Sequence, residues 1–130
     1  MEGDDIVKED KLGDLSMELS VDILQLTKEL LVRHENVISN QIGRSATSIC
    51  ANIAESKYAH GRADFIAKLE ISLKETNETR KWLEMLWKSD YIEEERYKAL
   101  NRKCSTIRFL LVKSVTTAKK NMDSAKDRKQ

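Results

Sequence analysis

Arg44, Glu75, Glu78 and Arg80 are the residues of this sequence whose types could do acid–base chemistry. Carboxylates beside guanidinium groups can move protons or hold an anion when they are shielded from water. Their spacing argues for a plainer use. If the chain folds back about Gly61, Arg44 comes level with Glu78, and Arg80 comes level with Gln41 and Ile42. A buried charge must be paired, and a paired layer fixes the register of two helices. The expectation is therefore a buried polar layer of Arg44, Asn52, Glu75, Glu78 and Arg80.

Other catalytic arrangements fail on spacing. Di-metal bundles use Glu-x-x-His pairs, and no Glu here has a His three residues on. His34 and His60 fall in expected turns. Cys50 and Cys104 sit in apolar patterns without metal-ligand spacing, as two buried free thiols would. There is no Ser-His-Asp arrangement and no glycine-rich phosphate loop. Trp82 and Trp87 read as packing residues rather than a platform for bases. No catalytic residue, cofactor or metal is expected, and the chain is not expected to be an enzyme.

A stripe of cations is the remaining chemical feature. Lys98, Arg102, Lys113 and Lys120 fall within about 60° of one another on a helical wheel. Phe109 lies among them, and the arc reads as free of acids. Such a stripe neutralises phosphates and releases their counterions, which makes RNA or DNA the expected ligand. The alternative is an ordinary solvated helix face. Net charge is only +1, but it is unevenly spread: the first 35 residues are acidic and the chain from Glu93 onward is basic. The protein as a whole is thus not a polyanion binder.

These residues need helices to hold them. The 130-residue chain contains no proline and only four glycines, so long runs meet no breaker. Leu19, Ile23, Leu26 and Leu30 recur at helical spacing after Ser16, a candidate cap. A turn is expected at 32–36. The second helix is expected from Val37 to about Ala59, with Ile38, Ile42, Ile49 and Ile53 inward and Gly61 as its left-handed stop. The third spans about Ala63 to Lys88, with Phe65, Leu69, Leu73, Leu83 and Trp87 on its inner face. The fourth follows Tyr91 and Ile92 and ends near Lys120. Its apolar positions are Tyr97, Leu100, Cys104, Ile107, Leu111, Val115 and Ala118. Short connections predict an all-α, antiparallel up-and-down four-helix bundle. The expected division is a disordered acidic tail at 1–15, one bundle domain at 16–120, and a disordered polar tail at 121–130. No signal peptide or membrane span is expected, and the location expected is the cytoplasm.

The second helix carries a single charge, Arg44, between Glu35 and Glu55 in a chain that is 35% charged. Gly43, Thr47, Ala51 and Ala54 occupy what reads as its outer side. An uncharged face of small residues suits close approach of another chain, so a homo-oligomer interface is expected there. A covering loop, or an alanine-rich helix with no partner, would give the same pattern.

The run Arg44 to Glu55 reads R-S-x-T-S-I-x-A-N-I-A-E. Asp64 to Leu69 reads D-F-I-x-K-L, and Lys74 to Leu83 reads K-E-x-N-E-T-R-x-W-L. Together they resemble the bacterial four helix bundle protein family over roughly residues 16–120. That family is related to the 23S ribosomal RNA intervening-sequence proteins and, more distantly, to the accessory protein of diversity-generating retroelements. Ser56 stands where the family often has glycine, and Glu70 where it tends to have a small residue. The resemblance implies a homopentamer without known catalytic activity, linked to RNA or to a nucleic-acid-handling protein. Two functions are therefore expected: an oligomeric helical protein that binds RNA or DNA weakly through the fourth helix, or a structural or protein-interaction module with no nucleic-acid contact.

Overall fold

A computed structural model describes residues 10–129, and side chains as far as residue 125. Four helices follow one another: α1 (Lys11–Val32), α2 (Val37–Ser56), α3 (Arg62–Lys88) and α4 (Glu94–Lys129). The described residues contain no strand. α1 packs on α2, α2 on α3, α3 on α4, and α4 on α1.

Both ends of the bundle domain differ from expectation. α1 starts at Lys11 because Asp10, not Ser16, caps it: the Asp10 carboxylate accepts from the Gly13 N–H at 3.0 Å. Ser16 is fully buried instead, and its hydroxyl donates to the Gly13 carbonyl. The added turn lets Leu12 and Leu15 pack on the core. At the other end α4 continues to Lys129, since nothing after Lys120 breaks a helix. The rest of the tail expected over 1–15, residues 1–9, falls outside the described residues.

Two of the three turns share one device. After α1, His34 N–H bonds to Leu31 O and Glu35 N–H to Leu30 O; after α3, Asp90 N–H bonds to Trp87 O and Tyr91 N–H to Leu86 O. This is the Schellman pattern, which requires a left-handed residue. His34 and Asp90 fill that position at φ 63° each, where glycine would be easier. Glu35 then accepts from the Ile38 and Ser39 N–H groups and so caps α2. Gly61 plays another part than the stop expected of it. α2 ends earlier, at Ser56, and Gly61 precedes α3 at φ 113°, ψ 177°, a conformation open essentially to glycine alone.

The periodic residues of α1 and α4 join Ile42, Ile49 and Ile53 of α2 and Leu69, Leu83 and Leu86 of α3 in one core. Leu19, Ile23, Leu26 and Leu30 are buried, as are Leu100, Cys104, Ile107, Leu111, Val115 and Ala118. Burying a Leu or Ile stabilises by about 1.5–3 kcal/mol. Between α2 and its neighbours the filling is different. Ser20 Oγ donates to Ala46 O at 3.2 Å, Ser39 Oγ to Thr27 O at 3.4 Å, and Ser72 Oγ to Ile49 O at 3.1 Å. Ser45 and Thr79 share a hydroxyl–hydroxyl bond of 2.8 Å. Short side chains bring the helices close, and each bond contributes about 1 kcal/mol while preventing a larger desolvation loss.

Candidate nucleic-acid interface

α4 carries two sets of cations, separated by the direction in which the helix turns them. Those facing a neighbour are paired. Arg96 makes a two-pronged bond to Glu29 of α1 at 2.8 and 2.7 Å. Lys103 reaches Asp22 at 2.5 Å with Glu18 nearby, and Lys119 reaches Glu70 of α3 at 3.0 Å. The hydrogen bond from Arg96 holds the Glu29 carboxyl below its usual range, with burial opposing it and the Arg96 charge adding a smaller effect. The Asp22 bond likewise raises Lys103.

Lys98, Arg102, Lys113 and Lys120 face away from the core and are all exposed. Among the described residues, Arg102, Lys113 and Lys120 form no ion pair. Phe109, on the same side, keeps 63% of its surface in solvent. One correction applies to the stripe: its first end is not free of acid. Glu94 lies 3.9 Å from Lys98, one helical turn away. Exposed pairs at this separation contribute little, so Glu94 offsets the outward charge of Lys98 only in part.

The polar layer divides. Arg44 donates to both Glu75 oxygens at 3.2 and 3.3 Å and to Glu78 at 2.8 Å. Those bonds, Glu75 first, raise the guanidinium above its usual range. Yet half of the Arg44 side chain is exposed, so this is a half-open clasp rather than a buried layer. Asn52 stands outside it, bonding Ser48 one turn back on its own helix. Arg80 also stands outside it. Its Nε donates to Asn101 of α4 at 3.2 Å, and it is only half-buried. Spacing fixes how far along α3 Arg80 lies, but its direction around that helix points to α4 instead of α2. The buried polar layer proper consists of the serine and threonine hydroxyls, with Glu75 among them.

The four small residues expected at an oligomer interface divide as well. Ala51 and Ala54 are exposed, whereas Gly43 and Thr47 are half-buried. A Cβ on Gly43 would lie 3.5 Å from the Thr27 methyl, which places Gly43 at the seam with α1. Thr47 returns its hydroxyl to Gly43 O at 2.8 Å. Sequence reasoning passed over the residues beside that seam. Met17, Val21, Leu24 and Leu31 of α1 each leave 45–56% of their surface in solvent. Their spacing of four, three and seven forms a second apolar stripe that the sequence displays. Of the thiols, Cys104 is buried and desolvation pushes it up to about 12, while Cys50 is half-buried, contrary to expectation.

Among the described residues no helix is long and apolar enough to cross a membrane, and no three His, Cys, Asp or Glu side chains gather to hold a metal ion. Fold and surface together define an all-α, four-helix protein with one outward cationic helix. The chain belongs to the family of 23S rRNA-intervening sequence proteins, which it matches over residues 8–113. It is also similar to a protein of unknown function from the S23 ribosomal protein family of Bacteroides thetaiotaomicron, known from a crystal structure. The two are 47% identical, with 80% of this chain and 97% of that chain covered and a TM-score of 0.79. No curated protein matches the chain.

Proposed function

We propose that this protein is a non-enzymatic, antiparallel up-and-down bundle that assembles with copies of itself in the cytoplasm, as a pentamer, and binds nucleic-acid backbones through α4. The pairing of residues supports the antiparallel reading. Contacts 20 to 46 and 27 to 39 join α1 to α2, while 22 to 103 and 29 to 96 join α1 to α4, one number falling as the other rises. The observation that carries the nucleic-acid reading is the sorting of cations on α4. Arg96, Lys103 and Lys119, turned toward α1 or α3, each have a carboxylate, and Arg102, Lys113 and Lys120 are left outward without one among the described residues. Cations without local partners can exchange counterions for phosphates, and contacts of that kind carry no base information. A ring of copies would repeat the face and multiply weak contacts.

The test is a salt titration of RNA binding. For wild type, affinity should fall steeply with salt. The Lys98→Ala, Arg102→Ala, Lys113→Ala, Lys120→Ala variant should bind more weakly, with a slope shallower by about 0.7 for each phosphate no longer neutralised. Equal affinities and slopes would favour the second reading, a protein-interaction module. The apolar stripe of Met17, Val21, Leu24 and Leu31 is the feature that favours it.

A further inference from the structure

A groove of about 700 Å³ opens where the turn between α2 and α3 meets the second half of α4. Lys57 lines it from the turn, Arg62 from the start of α3, and Lys113, Thr117 and Asn121 from α4. No carboxylate lines it. Two nearby acids already have partners. Asp10 holds Lys57 and caps α1, and an Asp64 oxygen accepts from the His60 N–H at 3.1 Å. Arg62 is exposed and, like Lys113, forms no ion pair among the described residues. Arg62 is also the first residue of α3, where unpaired backbone N–H groups add partial positive charge. Phe65, half-buried, contributes an apolar wall.

We infer that this groove seats a phosphodiester segment of a nucleic-acid strand, with Arg62 and Lys113 neutralising its phosphates and Phe65 meeting a sugar or base. The inference rests on the nucleic-acid reading above and extends it to residues off α4. Its support is continuity. Lys113 belongs both to the groove and to the outer face of α4, and Lys120 follows about 10 Å further along that helix. The cations therefore form a path from one helix onto the next turn. A single free phosphate would find two unpaired cations in an open groove, exposed to salt screening. A strand engages the whole path at once, and its contacts add. The volume suits a nucleotide-sized group, within the about 300–1,000 Å³ usual for ligand sites. An aromatic wall adds stacking that tolerates any base.

Arg62 is the discriminating residue, because it lies off the α4 stripe and its exposure leaves the fold untouched. Binding of a fluorescein-labelled 20-nucleotide polyuridine is followed by anisotropy between 50 and 300 mM salt. The full chain, Arg62→Ala, Arg62→Lys and the pair Lys98→Ala with Arg102→Ala are compared, with thermal melting as the control of folding. Arg62→Ala should weaken binding about three- to tenfold and flatten the salt slope by about 0.7. Arg62→Lys, which keeps the charge, should restore most of the affinity. If Arg62→Ala matches wild type while the α4 pair weakens binding, the groove is not a subsite and the reading of α4 stands. If wild type does not bind the polyuridine at any salt, both fall together. Uridine monophosphate alone is the last probe: binding as tight as that of the 20-mer would overturn the strand in favour of a mononucleotide site.

Discussion

α2 and α4 are built for opposite surroundings. α2 carries Arg44 alone within its middle, and Ser39, Gly43, Ser45 and Ala46 press against its neighbours. α4 has a wide apolar inner side and charges over the rest. The contrast explains most of the missing charge on α2 within one protomer. Ser39, Ser45, Ala46 and Ser56 are buried there, so both flanks as well as the inner side are covered by neighbouring helices. Ala51 and Ala54 stay exposed and uncharged in its second half, as Val37, Asn40 and Gln41 do in its first. A low charge count therefore reports burial by any neighbour, whether from the same chain or another one.

The largest effect should come from putting a charge where α2 is open. Ala51→Glu should abolish self-association, because an unpaired charge in a dry contact costs about 3–5 kcal/mol. It should leave the protomer folded, since Ala51 is exposed. Sedimentation velocity checks this, and a monomeric wild type would remove the interface altogether. Next in size is the difference between the inside of α2 and the outside of α4. Ile49→Ala should lower unfolding free energy by about 2–5 kcal/mol, the range for emptying a packed site. Phe109→Ala, at a larger but exposed side chain, should stay within about 0.5 kcal/mol. Equal losses in urea melts would mean that Phe109 is covered in the assembly.

Acid should separate the two helices more gently. Glu29 is held below its ordinary value by the Arg96 hydrogen bond, and Asp10 by the Lys57 hydrogen bond first. A carboxylate with a lowered folded pKa gives stability that is present above its unfolded value and fades as pH falls through the folded one. Both groups are well exposed, so each pair contributes only about 0.2–1 kcal/mol after screening. Between pH 5 and pH 3, hydrogen exchange should accelerate along the α1–α4 seam and the start of α1, while the middle of the α1–α2 seam, held by hydroxyls, changes little. Uniform acceleration would show that the seams do not differ in kind.

Periodicity alone placed the apolar positions of α1 and α4, because a 3.6-residue repeat with one wet side leaves few choices. All six of the α4 positions from Leu100 to Ala118 are buried. Family membership was likewise legible, in the three motifs between Arg44 and Leu83. Cap choice was not: Asp10 and Ser16 are both good caps, and only the packing of Leu12 and Leu15 decides between them. Polar partners were the least legible. Spacing sets the height of a side chain along a helix, but which neighbour it meets depends on the rotation of that helix in the bundle. That rotation separated Arg80, which turns to Asn101, from Arg44, which keeps Glu75 and Glu78. It also brought Arg62 and Lys113, 51 positions apart, to one groove, a proximity that arises only when the turn between α2 and α3 comes to rest against α4.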